Sequence, residues 1–205
     1  MSTGADDSWV QRAIARWPGV PACHGWLALD ARGRWLLDGK PATHPGLVAL
    51  LSRHYQRADD GAWFVQNGPQ KVFVDILSAP WVALLDGAGT LISHTGAPLP
   101  PPEALLIDEQ QQLYLVTSAG LAVLCDRDYA AFVADLALAS SDDGLDVASG
   151  CAAEEAAERA LDALLSLRES SALLPLVWRT YPLEGRFVPS AEMETRFGFK
   201  RVPRP

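Results

Sequence analysis

Apolar residues alternate with polar ones along several short stretches of this chain and recur every third or fourth position along a few others. Alternation sends successive side chains to opposite faces of a strand, whereas the longer period lines one face of a helix. The clearest alternation runs from Lys71 to Ile76, where Val72, Val74 and Ile76 interleave with Lys71, Phe73 and Asp75. It predicts a strand with one face buried and one face partly wet. Trp26 to Leu29 and Arg34 to Leu37 flank Asp30-Ala-Arg-Gly33, a hairpin signal in which Gly33 supplies the positive φ of a tight reversal. Trp63 to Val65, Trp81 to Leu85, Thr90 to Ser93, Leu105 to Ile107, Leu113 to Thr117 and Leu121 to Leu124 read as further strands. The turns between them fall at Asp86-Gly-Ala-Gly89, Asp108-Glu-Gln-Gln111 and Ser118-Ala-Gly120. Pro98 to Pro102, with four prolines in five residues, predicts a stiff extended connection.

Helical spacing occurs in four places. Trp9, Ala13 and Trp17, with Val10 and Ile14 beside them, predict a short helix capped by Asp7 or Ser8 and stopped by Pro18-Gly19. Thr43 or His44 caps a second helix that begins at Pro45 and carries Leu47, Leu50 and Leu51 to the neighbourhood of Tyr55. Asp126 opens a third, expected to run to about Leu138. The strongest pattern spans 152–169, where Ala157, Leu161, Leu164, Leu165 and Arg168 follow the helical period and Glu154, Glu155 and Glu158 crowd the first turns. Ser140 to Gly150 is polar and acidic and reads as a loop, without the ligand spacing of a calcium site. One more strand is expected around Leu174 to Thr180, followed by irregular chain.

These elements predict an α+β fold of mainly antiparallel sheets built from hairpins, with helices packed on the sheets. Its expected divisions are an N-terminal helix over 1–18, a ββαβββ-like unit over 19–98, and a second β-rich unit with two helices and a tail over 99–205. A weak echo links 30–41 to 86–98 at an offset of 56 that becomes 57. Shared turn chemistry explains it as well as duplication does.

Composition narrows the functional classes. Apolar residues make up 49% of the 205, enough to build a core without staples. The net charge of −8 disfavours a phosphate-tracking surface, which works through Lys and Arg, so no nucleic-acid partner is expected. No apolar run reaches membrane-spanning length, and Met1 to Asp7 is small and acidic where a secretory leader is basic and then apolar. A cytoplasmic protein is expected. Cys23, Cys125 and Cys151 are odd in number and widely spaced, which argues for buried thiols over a disulfide framework. Seven tryptophans stand out, and a Trp ring is best used where it packs while its N–H finds a partner.

Catalytic signatures are missing from the pattern. His24, His44, His54 and His94 form no metal-ligand spacing, and no nucleophile elbow, P-loop or dinucleotide fingerprint occurs, so no metal, cofactor or catalytic residue is assigned. The most distinctive polar run is Gln66-Asn67-Gly68-Pro69-Gln70-Lys71, between two apolar strands. Its three carboxamides and lysine offer directional hydrogen bonds at one sheet end, and the same residues also make an ordinary Asn-Gly turn. With Arg53 and His94, the residues Gln66, Asn67, Gln70 and Lys71 are the candidate ligand-binding set. Arg196-Phe-Gly-Phe-Lys-Arg201 and Arg204 form a basic, aromatic tail, expected to pack its phenylalanines on its own domain or on a second subunit.

Gly33-Arg-Trp35, Gly39-Lys-Pro41, the Leu-rich helix from Pro45, Asp60-Gly61, the NGPQ loop at 67–70, Pro80-Trp81 and His94-Thr-Gly96 succeed one another. The order resembles an uncharacterised bacterial family of unknown function. Residues 25–81 are more faintly similar to a second such family, from whose "PVEKV" strand Gly68-Pro-Gln-Lys-Val72 departs. Neither resemblance implies an activity or a catalytic residue. The leading expectation is a non-catalytic binding or assembly module that forms a homo-oligomer or takes a protein partner. The alternative is a small-molecule sensor or enzyme with a polar pocket around 66–71.

Overall fold

The computed structural model describes residues 22–139, 151–169 and 172–205. The expected helix over 9–17 and the expected loop over 140–150 lie outside them. The described residues divide into two compact units, those within 22–78 together with 198–205, and those within 79–197.

The first unit holds β1 (Cys23–Leu29), β2 (Trp35–Leu37), β3 (Lys40–Pro41), α1 (Pro45–Arg53), β4 (Tyr55–Arg57), β5 (Trp63–Asn67) and β6 (Gln70–Ile76). They form one sheet in the order β3-β2-β1-β6-β5-β4. Every neighbour pair is antiparallel except β1 with β6, which run parallel with Leu27 beside Val74 and Leu29 beside Ile76. One face is a core of Leu27, Leu29, Trp35, Tyr55, Trp63, Val65, Val74 and Ile76, all buried. Trp35 meets Tyr55 edge-on at 5.2 Å between ring centres, and Tyr55 stacks on Trp63 at 4.7 Å. The Trp35 Nε1–H donates to Ser52 Oγ on α1 at 3.1 Å, the partnered-ring use expected of these tryptophans. Helix α1 starts as its sequence requires, with His44 Nδ1 accepting from Leu47 N–H and Pro45 in the first turn.

The second unit holds β7 (Trp81–Leu85), β8 (Leu91–Ser93), β9 (Ala104–Ile107), β10 (Leu113–Thr117), β11 (Gly120–Leu124), α2 (Tyr129–Val133), β12 (Leu136–Leu138), α3 (Cys151–Leu165), β13 (Leu174–Trp178), β14 (Tyr181–Phe187) and α4 (Ser190–Phe197). Its sheet order is β12-β13-β14-β9-β10-β11-β7-β8. Two of its joins, β11 with β7 and β14 with β9, are parallel. Both sheets are therefore mixed, within an α+β architecture. The core gathers Leu105, Ile107, Leu115, Leu124, Phe132, Leu164, Leu176 and Trp178. Helix α3 approaches β14 closely at Gly185, where an added Cβ would lie 2.7 Å from Leu176 Cδ1 and 3.2 Å from Leu164 Cδ1.

Several local expectations change. The first unit reads βββαβββ, and the strands past Pro80 join the second sheet through β11 instead of closing the first. The helix expected from Asp126 to about Leu138 ends at Val133, because Leu136 and Leu138 pair with Trp178 and Leu176 on β13. Pairing to a neighbouring strand outweighs helical propensity there. The irregular chain expected after Thr180 is strand β14 and helix α4.

Among the described residues one turn recurs five times and accounts for the sequence echo. At Asp30, Ala58, Asp86, Ser93 and Asp108, the first residue's N–H donates to the carbonyl four residues on, and its own carbonyl accepts from the N–H three residues on. The fourth residue has positive φ each time: Gly33 at 76°, Gly61 at 85°, Gly89 at 76°, Gly96 at 84° and Gln111 at 64°. Where aspartate leads, at Asp30, Asp86 and Asp108, its Oδ1 also accepts from the second and fourth N–H groups beyond it. Asp108 repeats the pattern outside the echo, so turn chemistry suffices to produce the resemblance between 30–41 and 86–98.

Candidate binding surface

The hairpin β5–β6 turns at Asn67-Gly68-Pro69-Gln70, with Gly68 at φ 57°. The buried Gln66 side chain faces its own turn, with Nε2 donating to Gly68 O at 2.7 Å and to Gln70 O at 3.3 Å. Gln70 Nε2 donates to Cys23 Sγ at 3.1 Å. Lys71 is exposed and sets its ammonium 4.6 Å from the centre of the Phe64 ring. Asn67 is exposed at the tip, and Arg53 is exposed at the end of α1. Two of the three carboxamides in this run thus act on the hairpin itself and on Cys23. His94, the sixth candidate, belongs to the second unit.

His94 is held by two bonds to one residue of β7. Its N–H donates to Val82 O at 2.9 Å, and its Nδ1 accepts from Val82 N–H at 3.3 Å. Burial drives its pKa down to about 3, and the Nδ1 acceptor role requires the neutral ring. The folded state therefore resists protonation while the unfolded chain takes up a proton near pH 6.5, so stability falls as pH drops from about 6.5 toward 3. At a limiting slope of about 1.4 kcal/mol per pH unit, wild type loses about 2 kcal/mol more than His94→Gln between pH 6.5 and 5. Urea titrations of both proteins at the two pH values measure this, and equal losses refute it.

Three further titratable groups of the second unit are shifted by their surroundings. Burial pushes the Cys125 thiol up, which suits an inert sulfur. Burial raises the Tyr129 hydroxyl to about 12, and that hydroxyl bonds Gln112 Nε2 and the Leu113 N–H. Glu109 is held down at about 2 by the Ser190 hydroxyl and the Ser190 N–H at the start of α4. Among the described residues, no three His, Cys, Asp or Glu side chains are grouped to hold a metal ion, and no helix is long and apolar enough to cross a membrane.

The most built surface is the second face of the first sheet. Phe64 and Phe73 are cross-strand partners there, 5.9 Å apart between ring centres, and His24 stacks on Phe73 at 4.4 Å and 7°. Across this face runs the C-terminal segment. It is anchored first at the Ala58–Ala62 turn, where Arg57 donates to Gly198 O at 2.7 Å and Lys200 N–H donates to Gly61 O at 3.0 Å. Lys200 Nζ stands 2.7 Å from Asp60 Oδ2, and this bond, with that from Ala62 N–H, holds the Asp60 carboxyl below its usual range. The segment next reaches the end of β6, where Ile76 N–H donates to Arg201 O at 2.7 Å and Arg201 donates back to Leu77 O at 3.0 Å. It finishes over β1 and β6: His24 Nδ1 donates to Pro203 O at 3.2 Å, and Arg204 spans both oxygens of Asp75 at 3.1 and 3.4 Å. Phe199 is 3% exposed, so the basic, aromatic tail packs on its own chain.

Beyond the segment, among the described residues, this face carries exposed apolar side chains. Trp26 is 59% exposed beside the Gly25 bulge of β1, and two residues further along the strand Ala28 pairs with Leu36 of β2, which pairs with Pro41 of β3. Leu77 and Val202, at the segment's crossing of β6, are 52% and 53% exposed. The 66–71 run is marked in the sequence by its polarity. The Trp26 surface carried no comparable signal, because an exposed and a buried tryptophan look alike in sequence.

Residues 6–204 match the family described as "Protein of unknown function (DUF2946)". The earlier resemblance, to a family without known activity, points the same way. No curated protein matches the chain. Two crystal structures are similar to it. One is a DUF1285 family protein from Silicibacter pomeroyi DSS-3, 21% identical over 64% of this chain and 78% of that one, at a TM-score of 0.45. The other is a DUF1285 family protein from Shewanella baltica OS155, 19% identical over 53% of this chain and 90% of that one, at a TM-score of 0.40.

Proposed function

The chain belongs to this family of proteins of unknown function, and we propose that it is a non-catalytic cytoplasmic binding or assembly module that self-associates through the second face of its first sheet. The observation that carries this reading is Trp26, 59% exposed on β1 two residues before Ala28, which pairs with Leu36 and through it with Pro41. An exposed apolar row on a rigid sheet marks an interaction surface, and aromatic residues anchor such surfaces. The short edge strand β3, ending in Pro41, discourages open-ended strand pairing and favours contact through the face. Free thiols at Cys23 and Cys125 suit a reducing compartment.

Light scattering on the purified protein tests the reading. A dimer is expected at micromolar concentration, and Trp26→Asp is expected to weaken it at least tenfold, as removal of a central anchor does. The variant's melting point should change little because the side chain stands in water. A strictly monomeric wild type, or a dimer untouched by Trp26→Asp, refutes it.

A further inference from the structure

We propose that the C-terminal segment is an exchangeable strap: residues 198–205, seated here on the first sheet of their own chain, also seat on the same face of a second copy. The inference rests on the self-association reading in taking a second copy as the partner. The surface and its occupant both belong to this chain, so the chemistry of the match is known. The face offers two carboxylates, Asp60 and Asp75, together with the backbone groups Gly61 O, Ile76 N–H and Leu77 O. The occupant offers Lys200, Arg204, Arg201 and its own main chain in the matching order. An identical chain supplies the same groups, so every bond made within one chain can be remade between two.

Three features favour exchange over a permanent closure. The Lys200–Asp60 pair is water-accessible, at 48% and 57% exposed, and in the second pair Arg204 is 52% exposed over Asp75 at 19%, and ion pairs open to water hold weakly. The segment's main chain bonds the sheet at separate points, without a continuous ladder. Gly198, at φ 61°, opens the segment with the residue type that most readily takes other backbone conformations. The strap's chemistry also defines the partner it fits, an extended basic segment with one aromatic side chain, and a second copy of this chain is the occupant that meets it.

A charge-exchange pair tests the inference with full-length chains. Every chain carries Trp26→Asp, so association through that residue is removed and failure of the earlier reading stays separate. One chain also carries Lys200→Glu and Arg204→Glu, the other Asp60→Lys and Asp75→Arg. Each variant alone opposes like charges between strap and face. Co-expressed under two different affinity tags, they match only when each strap crosses to the other chain. The expected result is a doubly tagged 1:1 species at twice the monomer mass, enriched about tenfold over either variant paired with itself. All four charge changes in one chain restore the match within the chain and between identical copies alike, and that protein should fold and associate as the Trp26→Asp parent does. If the four-change chain folds and the co-expressed pair yields no doubly tagged species, strap exchange is refuted. If that chain fails to fold, the single pairs Lys200→Glu and Asp60→Lys repeat the co-expression, and its absence there refutes the inference equally.

Discussion

Gly61→Ala is expected to cost about 3 kcal/mol or more and to loosen the C-terminal segment. The backbone at Gly61 has φ 85°, a left-handed conformation that costs a residue with a Cβ about 1–2 kcal/mol. The added Cβ would also stand 2.6 Å from Gly198 O, a backbone atom that cannot rotate away. The segment must therefore shift, which strains the Lys200 N–H bond to Gly61 O and the Arg57 bond to Gly198 O, each worth about 1 kcal/mol. Gly39→Ala separates the two effects. Gly39 has φ 73°, but no atom lies within 4 Å of its added Cβ, so only the conformational cost of about 1–2 kcal/mol remains. Urea denaturation of the two variants measures the difference, and tryptic cleavage after Lys200, Arg201 and Arg204 should quicken in Gly61→Ala alone. Equal costs would show that the close approach of Gly198 to Gly61 contributes nothing.

The second large effect lies in the other unit. Trp178 is 3% exposed, stacks on Phe132 at 4.8 Å and 12°, and donates its Nε1–H to Phe132 O at 3.1 Å. Trp178→Ala opens a cavity in the core and is expected to cost about 3–5 kcal/mol. It also strands a buried carbonyl. Trp178→Phe retains an aromatic ring and loses the donor, so about 1–3 kcal/mol is expected for the orphaned acceptor. Denaturant midpoints at fixed pH rank the three proteins. An alanine variant within 1 kcal/mol of wild type, a margin well below the usual cavity cost, would mean that the site relaxes to fill the space.

Both effects concern glycine and tryptophan, and the sequence treated these two residue types unequally. The glycine turns were legible because their chemistry is local. Asp30 to Gly33 and Asp86 to Gly89 read directly as reversals, and their hydrogen bonds lie within five residues. The tryptophans were legible only as a class. That Trp35 and Trp178 are core rings with partnered N–H groups, while Trp26 faces water, follows from which sheet face each occupies. The candidate residues of the 66–71 run divide the same way. A hairpin turn in this run was legible, but its loop residues are Gly68 and Pro69 with Asn67 paired to Gln70 at the end of β5, and the inward bonds of Gln66 and Gln70 depend on the register of β5 with β6 and on Cys23 of β1. The strap was visible as a basic, aromatic run, and its seat was not, since Asp60 and Asp75 lie over a hundred residues away from Lys200 and Arg204.

The amino-acid sequence alone determined the α+β class, most strands, the hairpin turns and the helices at 45–53 and 151–165, because alternation, helical period and turn chemistry are properties of neighbouring residues. Tertiary structure decided the parallel joins of β1 with β6, β7 with β11 and β9 with β14, the division that sends β7 and β8 to the second sheet, and the return of 198–205 to the first unit. Each joins segments far apart in the chain. Such contacts form only when two distant surfaces bury each other, and a local pattern records that a surface is apolar without recording what will cover it.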